Sequence, residues 1–207
     1  MPTFESLAAF GIASLALLVI PGPAVLYIIN RSVADGRNVA LAAVAGLEIG
    51  NFMHVIAATV GLSAVIAASA TAFLIVKWIG AGYLVYIGIR TLVKRPQPVT
   101  QANDPMTRRR AFTQGIVVNT FNPKVALFFL SFLPQFIDAD RGSAALQSLI
   151  LGTTFVILGS VSDSLFALLA SALRGTLLRG KSLPFVQRYV AGSVFIALGA
   201  IASSTRR

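Results

Sequence analysis

The sequence contains no cysteine and only one histidine, and these two absences exclude several kinds of chemistry. A chain without cysteine has neither thiol redox chemistry nor thiolate ligands for a metal ion. One histidine cannot provide the pair of histidines that catalytic zinc sites combine with a carboxylate. The sequence also has no Gly-x-Ser-x-Gly elbow and no phosphate-binding loop that follows a strand. We therefore expect a protein that is not an enzyme and that holds no cofactor and no resident metal.

Charged residues are also scarce, at 12% of the 207 residues against 56% for hydrophobic residues, and the mean hydropathy is +0.81. A soluble domain has about 25% charged residues, so lipid must be the solvent of this chain. A membrane-spanning helix needs roughly 20 apolar residues, and we predict an all-α integral membrane protein of one domain with about six such helices. The apolar stretches are Phe4–Ile29, Val39–Ala67, Ala72–Val93, Phe112–Ile137, Ala145–Leu173 and Phe185–Ser203.

The basic residues indicate how the chain is oriented in the membrane. The net charge of +10 is spread over short segments between apolar stretches, so we expect no nucleic-acid partner. Twelve basic residues lie in or beside the connections after the first, third and fifth stretches, and four lie on the other side. Because cytoplasmic loops are enriched in Lys and Arg, we expect those three connections in the cytoplasm and both termini outside. The twelve are Arg31, Arg37, Arg90, Lys94, Arg95, Arg108, Arg109, Arg110, Arg174, Arg179, Lys181 and Arg188.

The middle of the chain contains its longest polar segment, residues 94–111, which includes three prolines. This segment predicts a cytoplasmic linker between a first repeat, residues 1–93, and a second repeat, residues 112–207. Three spans in each half give the halves opposite polarity, so we predict two inverted three-helix repeats. The halves match weakly, and chance similarity among small residues is the alternative. The matches pair Pro23–Leu26 with Pro123–Ala126, Gly50 and His54 with Gly159 and Asp163, and Lys77–Gly82 with Arg188–Ser193.

Proline interrupts two of the predicted spans, at Pro21-Gly22-Pro23 in the first and at Asn122-Pro123 in the fourth. Proline lacks the amide hydrogen that would bond the carbonyl four residues earlier, and hydrocarbon offers that carbonyl no partner. One such proline is usually only a kink, but corresponding breaks in two halves are typical of a transporter's binding site. The carbonyls expected to be free are those of Leu17, Val19 and Asn119. The predicted substrate-binding residues are Pro21, Gly22, Pro23, Asn122, Pro123 and Lys124, with the helix that restarts at Ala24 directed at a carboxylate.

Four ionisable residues lie inside predicted spans, namely Glu48, His54, Lys124 and Asp163. A charge at the bilayer centre costs about 2.5–3.5 kcal/mol or more, so these side chains should face the interior of the bundle. Glu48 and His54 are six residues apart, about 120° from a common helix face, and so are not an obvious catalytic pair. Two interpretations stay open. Either Lys124 forms a structural ion pair with an acid, or the group couples protons, with Asp163 as carrier, Glu48 as second choice and His54 as relay.

Together these motifs resemble the LysE/RhtB family of amino-acid exporters over nearly the full length of the chain. The segments that carry the resemblance are Pro21-Gly22-Pro23, Gly46 and Gly50 with His54, Lys77–Leu84 with Gly88-Ile89-Arg90, Asn119–Lys124 and Phe132–Phe136. Many members look to have an acidic residue where this sequence has Asn51, and Glu48 lies one turn earlier. Secondary candidates for the site are Asn51, Gly46, Gly50 and Asn119.

The resemblance implies export of amino acids or close derivatives, such as homoserine, threonine, lysine or leucine, through a bacterial inner membrane by proton antiport. The implied partners are the amino acid, protons and the lipid bilayer, and a homo-oligomer stays open. A metal-ion exporter of a related branch is the alternative. It would need more converging acids than Glu48 and Asp163, because hard cations take six or more oxygen ligands. A passive channel, without proton dependence or saturation, is the third possibility.

The charge distribution yields a direct test of orientation. A reporter that is active only outside the cytoplasm should be active when fused after Arg207 and inactive when inserted within Gln97–Asp104, because basic residues retain the linker in the cytoplasm. A reporter that is active only in the cytoplasm should give the reverse pattern and serves as the control. A cytoplasmic signal from the C-terminal fusion would contradict this topology.

Overall fold

The computed structural model describes residues 1–68 and 105–175, together with isolated positions at 78, 82, 85, 86, 89, 93 and 196. Within these residues the secondary structure is entirely helical. The α-helices are α1 (Phe4–Val19), α2 (Pro23–Asp35), α3 (Arg37–Ala68), α4 (Arg108–Thr120), α5 (Pro123–Phe132) and α6 (Ala144–Ala172). Two 3-10 helices, Leu133–Phe136 and Ala139–Arg141, follow α5.

The first predicted span consists of two helices that meet at the proline motif. The hydroxyl of Thr3 caps α1 by accepting from the amide of Ser6 at 3.0 Å. At the other end Pro21 cannot continue the helical hydrogen bonds, and α1 ends at Val19. Pro23 then occupies the first position of α2, where its fixed φ is suited to a helix start. The two helix axes differ by 52°.

The fourth predicted span is broken in the same way. Thr107 caps α4, and Asn122 caps α5 with its side-chain oxygen, which accepts from the amide of Lys124 at 3.1 Å. Pro123 is the first residue of α5, and the two helices are bent by 44°. Both breaks therefore fall at the prolines from which the sequence predicts them.

Two of the described helices, α3 and α6, are each long and apolar enough to cross a membrane, and each bent pair passes the same test when it is counted as one span. Four of the six predicted spans are thus present as helices close to the expected boundaries. The other two, Ala72–Val93 and Phe185–Ser203, and most of the linker 94–111 lie outside the described residues. The inverted-repeat arrangement stays a prediction, because it depends on those two spans.

Glycine allows α3 and α4 to pack with their backbones in contact. A Cβ atom added to Gly46 would collide with the carbonyl oxygen of Phe112. One added to Gly50 would lie 2.8 Å from the Cβ of Asn119. Small residues at such positions are how membrane helices approach closely, and here they join a helix of the first predicted repeat to a helix of the second.

A cluster of aromatic rings packs α1, α5 and α6 together. Phe10, Phe128 and Phe155 are fully buried. The ring centroid of Phe128 lies 5.8 Å from that of Phe10 and 5.5 Å from that of Phe155. Ring pairs at such spacings stabilise a core beyond the burial of their area. By contrast, Ile157 and Val161 of α6 are more than half exposed. An apolar face of this kind is suited to lipid rather than to water.

Contacts between loops define the two ends of the bundle. The amide of Met106, just before α4, donates to the carboxylate of Asp35 at the end of α2, at 2.9 Å. The N-terminal amine of Met1 donates to the carbonyl of Arg141 at 2.6 Å. The first and third predicted connections therefore share one end, and the N-terminus shares the other end with the fourth. Which end faces the cytoplasm stays a prediction from the charges.

The packing of α3 on α4 predicts that Gly46→Ala lowers the free energy of unfolding by about 1–3 kcal/mol, the usual cost of overpacking. Thermal unfolding of the purified protein in detergent measures the effect. Gly11→Ala is the matched control, because its added Cβ would lie at an ordinary 3.8 Å from Leu158. An unchanged melting temperature for Gly46→Ala would contradict the close approach of the two backbones.

Candidate functional site

Lys124 connects the two broken spans. It lies in the first turn of α5 and is only 7% exposed. Its ammonium nitrogen donates to the carbonyl of Ile20, at the break between α1 and α2, at 2.7 Å. Its aliphatic part lies against Gly22, where an added Cβ would be 3.0 Å from the Cδ of Lys124. Lys124, at the break in the fourth span, is therefore in contact with the break in the first span.

The expectation of free carbonyls at Leu17 and Asn119 is wrong. The carbonyl of Leu17 accepts from the amide of Ile20 at 3.2 Å, and that of Asn119 accepts from the amide of Asn122 at 3.0 Å. In each case the chain forms a tighter turn at the break. The carbonyl then accepts from the amide three residues later, in place of the proline nitrogen four residues later, which carries no hydrogen. The expectation for Val19 stays a prediction.

The carbonyl of Ile20, which no sequence pattern indicates, accepts from a donor in a distant part of the chain. Counting four residues back from each proline assumes a regular helix and cannot predict which carbonyl a bend turns towards another helix. The pairing of Lys124 with Ile20 spans 104 residues of sequence. Only the tertiary fold therefore reveals it.

The two helix starts at the breaks differ in their capping. The amide of Lys124 is satisfied by Asn122 at the start of α5, whereas Gly22 offers no side chain to cap α2. The first amide hydrogen bond of α2 is the one from Leu26 to Gly22, so the amides of Ala24 and Val25 precede the helical ladder. Such a helix start carries partial positive charge. Together with the Lys124 ammonium it can attract an anion.

A chain of hydrogen-bonded side chains runs from α3 to the break in the fourth span. The amide of Asn51 donates to Glu48 at 3.0 Å, and Asn119 donates to Asn51 at 2.7 Å. Asn122 donates to the side-chain oxygen of Asn119 at 3.0 Å. Asn51, Asn119 and Asn122 are each 2% exposed. The chain therefore links a buried acid to the residue that caps α5, next to Lys124.

His54 and Glu48 bind different partners, in agreement with their angular separation on α3. His54 Nε2 lies 2.9 Å from the carbonyl oxygen of Asn119, an atom that can only accept, so this nitrogen carries the hydrogen. His54 thus contacts the backbone carbonyl of Asn119, while Glu48 contacts the side chain of Asn51. Gly46 and Gly50, two secondary candidates, serve the packing of α3 on α4.

Asp163 lies in α6, is 3% exposed and makes no hydrogen bond to the described residues. It is within electrostatic reach of both Lys124 and Glu48. Ion pairs within residues 1–68 and 105–175 include Arg31–Asp35 at 2.8 Å and Arg141–Asp138 at 3.4 Å. The charge of Asp163 therefore acts on both Lys124 and Glu48, and the two interpretations of this group, a structural ion pair or proton coupling, both stay predictions.

Gly159 lies against Glu48, a contact that the sequence does not predict. The sequence shows only a weak match between Gly159 and Gly50. A Cβ added there would lie 3.2 Å from both carboxylate oxygens of Glu48 and 3.3 Å from the side-chain nitrogen of Asn51. This position brings α6 directly onto the acid end of the amide chain. The part of the chain that the structure describes contains no group of three His, Cys, Asp or Glu residues able to hold a metal ion.

Apolar helices, two broken spans and buried charges at their junction define the class of an all-α integral membrane transport protein. A family model described as LysE type translocator matches residues 15–204, and the chain belongs to this family, as its motifs suggest. Members of this family are transporters rather than enzymes.

Three relatives cover nearly the whole chain. A homoserine/homoserine lactone efflux protein of Salmonella typhimurium is 32% identical over 99% of this chain and 98% of its own. An uncharacterized membrane protein of Vibrio cholerae is 29% identical over 96% of both chains. A leucine efflux protein of Salmonella choleraesuis is 27% identical over 91% of this chain and 90% of its own. No solved structure matches the chain.

The amide chain predicts that Asn119→Ala lowers the free energy of unfolding by about 1–3 kcal/mol, because it leaves Asn51 and Asn122 with unsatisfied buried groups. Thermal unfolding in detergent is again the measurement. Asn38→Ala, a change of the same chemistry at an exposed position of α3, should leave the melting temperature unchanged. Equal melting temperatures for the two variants would refute a stabilising role of the chain.

Proposed function

We propose that this translocator exports amino acids or close derivatives, of the homoserine, threonine, lysine or leucine type, across a bacterial inner membrane in exchange for protons. The family and the efflux activities named for two relatives support this proposal. The observation that carries it is the junction at Lys124, where two broken spans bring a buried ammonium group and an uncapped helix start together.

The junction would bind the carboxylate of the substrate. Lys124 now donates to the carbonyl of Ile20, and a carboxylate arriving beside Gly22 would compete for the same ammonium group. The amides of Ala24 and Val25 add donors, since α2 has no side-chain cap. The break residues Pro21, Gly22, Pro23, Asn122 and Pro123 hold this geometry. A bound carboxylate would thereby loosen the contact between the two broken spans.

Asp163 would carry the proton, with Glu48 as second carrier and His54 as relay. An ionised carboxylate is costly in a buried position unless a positive charge lies nearby. Lys124 is the positive group within electrostatic reach of Asp163. Exchange requires that the substrate and the proton compete for this environment, and a proton on Asp163 would remove the negative charge that Lys124 supports. Substrate and proton occupancy would thus be linked through one lysine.

An efflux panel tests the proposed function. Cells with and without the protein are preloaded with homoserine, threonine, lysine or leucine, and loss of each amino acid is followed with and without an imposed proton gradient. Protein-dependent, saturable efflux that the gradient accelerates would support the proposal. Efflux of none of the panel would refute it, and linear efflux without proton dependence would indicate a channel.

Asp163→Asn keeps the shape of the side chain but cannot ionise, and we expect it to abolish uphill export while sparing downhill exchange. Proteoliposomes that contain the amino acid identified by the panel measure both modes, with and without a pH difference. Asp140→Asn, at an exposed loop position, is the control and should behave as the unchanged protein. Undiminished uphill export by folded Asp163→Asn would show that the aspartate is structural.

A further inference from the structure

The carboxylate of Glu48 is only half satisfied. Its Oε2 atom accepts from the side chain of Asn51 at 3.0 Å, whereas its Oε1 atom is buried and accepts no hydrogen bond from the described residues. A buried acceptor without a donor costs free energy, and in native proteins it often belongs to a functional site. The oxygen that lacks a donor faces α6, because both oxygens lie 3.2 Å from the position of a Cβ on Gly159.

Asp163 supplies a second, independent observation at the same place. Its side chain is 97% buried, as its 3% exposure shows, and it has no hydrogen-bond donor among the described residues. It follows Gly159 by four residues on α6, and residues at this spacing are neighbours on one helix face. The carboxylate of Asp163 and the Oε1 atom of Glu48, neither of which has a donor among the described residues, therefore lie within about one helical turn of each other, with Lys124 in electrostatic reach of Asp163.

We propose that Glu48 and Asp163 bind the cationic amino group of the substrate, and that the protein therefore requires a free ammonium group in what it exports. A primary ammonium has three hydrogen-bond donors and no acceptor, so it can satisfy Glu48 Oε1 and the Asp163 carboxylate together. Hydrogen bonds between charged groups are the strong ones. This inference rests on the proposed function and specifies the other end of the same substrate, whose carboxylate would lie towards Lys124.

Gly159 keeps the approach to this acidic pair open. A methyl group there would press on both oxygens of Glu48 and on the side chain of Asn51, all within 3.3 Å. The carboxylate would have to rotate or its hydrogen bond with Asn51 would have to lengthen. Gly159 is therefore a specificity-determining position that acts through Glu48.

The test uses the full-length protein in proteoliposomes and the labelled amino acid that the efflux panel identifies. The competitors are the methyl ester of that amino acid, which keeps the ammonium group, and its N-acetyl derivative, which lacks it. The concentration of the N-acetyl derivative that halves transport should be at least about tenfold higher than that of the free amino acid. A loss of this size is expected when a hydrogen bond to a charged group is removed. The ester should compete better than the N-acetyl derivative.

Glu48→Gln removes the charge of the side chain but keeps an oxygen that can accept from Asn51. We expect this variant to reduce the discrimination between the free amino acid and the N-acetyl derivative by about tenfold. Glu5→Gln, which changes an exposed acid of α1, should leave that discrimination unchanged. Unchanged discrimination in folded Glu48→Gln would overturn the assignment.

Gly159→Ala provides a second variant, and it should weaken binding of the free amino acid while Gly11→Ala does not. If an amino acid is exported but its N-acetyl derivative competes equally well, the ammonium site is refuted and the proposed function stands. If no amino acid of the panel is exported, the proposed function itself fails. The two failures are therefore distinguishable.

Discussion

Hydrocarbon supplies no hydrogen-bond donor, and the architecture of the described residues follows from this constraint. A spanning helix that is broken by proline must satisfy its exposed carbonyls from within the protein. Here the carbonyls of Leu17 and Asn119 are satisfied locally by tightened turns, and the carbonyl of Ile20 accepts from Lys124. A lysine buried in a membrane protein needs a partner for the same reason. Lys124 therefore provides the donor that the carbonyl of Ile20 needs, and this carbonyl provides an acceptor for the buried ammonium group.

The neutral amides of Asn51, Asn119 and Asn122 complement the buried charges. They connect Glu48 on α3 to the cap of α5 without adding charge to the interior. Amide groups can donate and accept at once, so each asparagine of this chain bonds to the members on both sides of it. The glycine contacts between α3 and α4 hold the members of this chain in place, because Gly50 lies directly against Asn119.

The sequence predicts the helices and their breaks well, because these depend on composition and on proline, which act locally. The boundaries of four spans differ by a few residues from the helices observed, and the family assignment from the proline and asparagine motifs is confirmed. Tertiary contacts are predicted less well. The carbonyls of Leu17 and Asn119 are satisfied because the chain departs from helical geometry at each break. The roles of Ile20 and Gly159 depend on helices that are distant in sequence, so no local pattern indicates them.

The contact between Lys124 and Ile20 also constrains how the chain is assembled in the membrane. The residues around Ile20 are synthesised about a hundred residues before Lys124, since synthesis proceeds from the N-terminus. A span that carries an unpartnered lysine enters lipid at a cost of about 2.5–3.5 kcal/mol on insertion scales. An already inserted first span can offset part of this cost by offering its exposed carbonyl. A first span that is already in place would therefore lower the cost of inserting the later one.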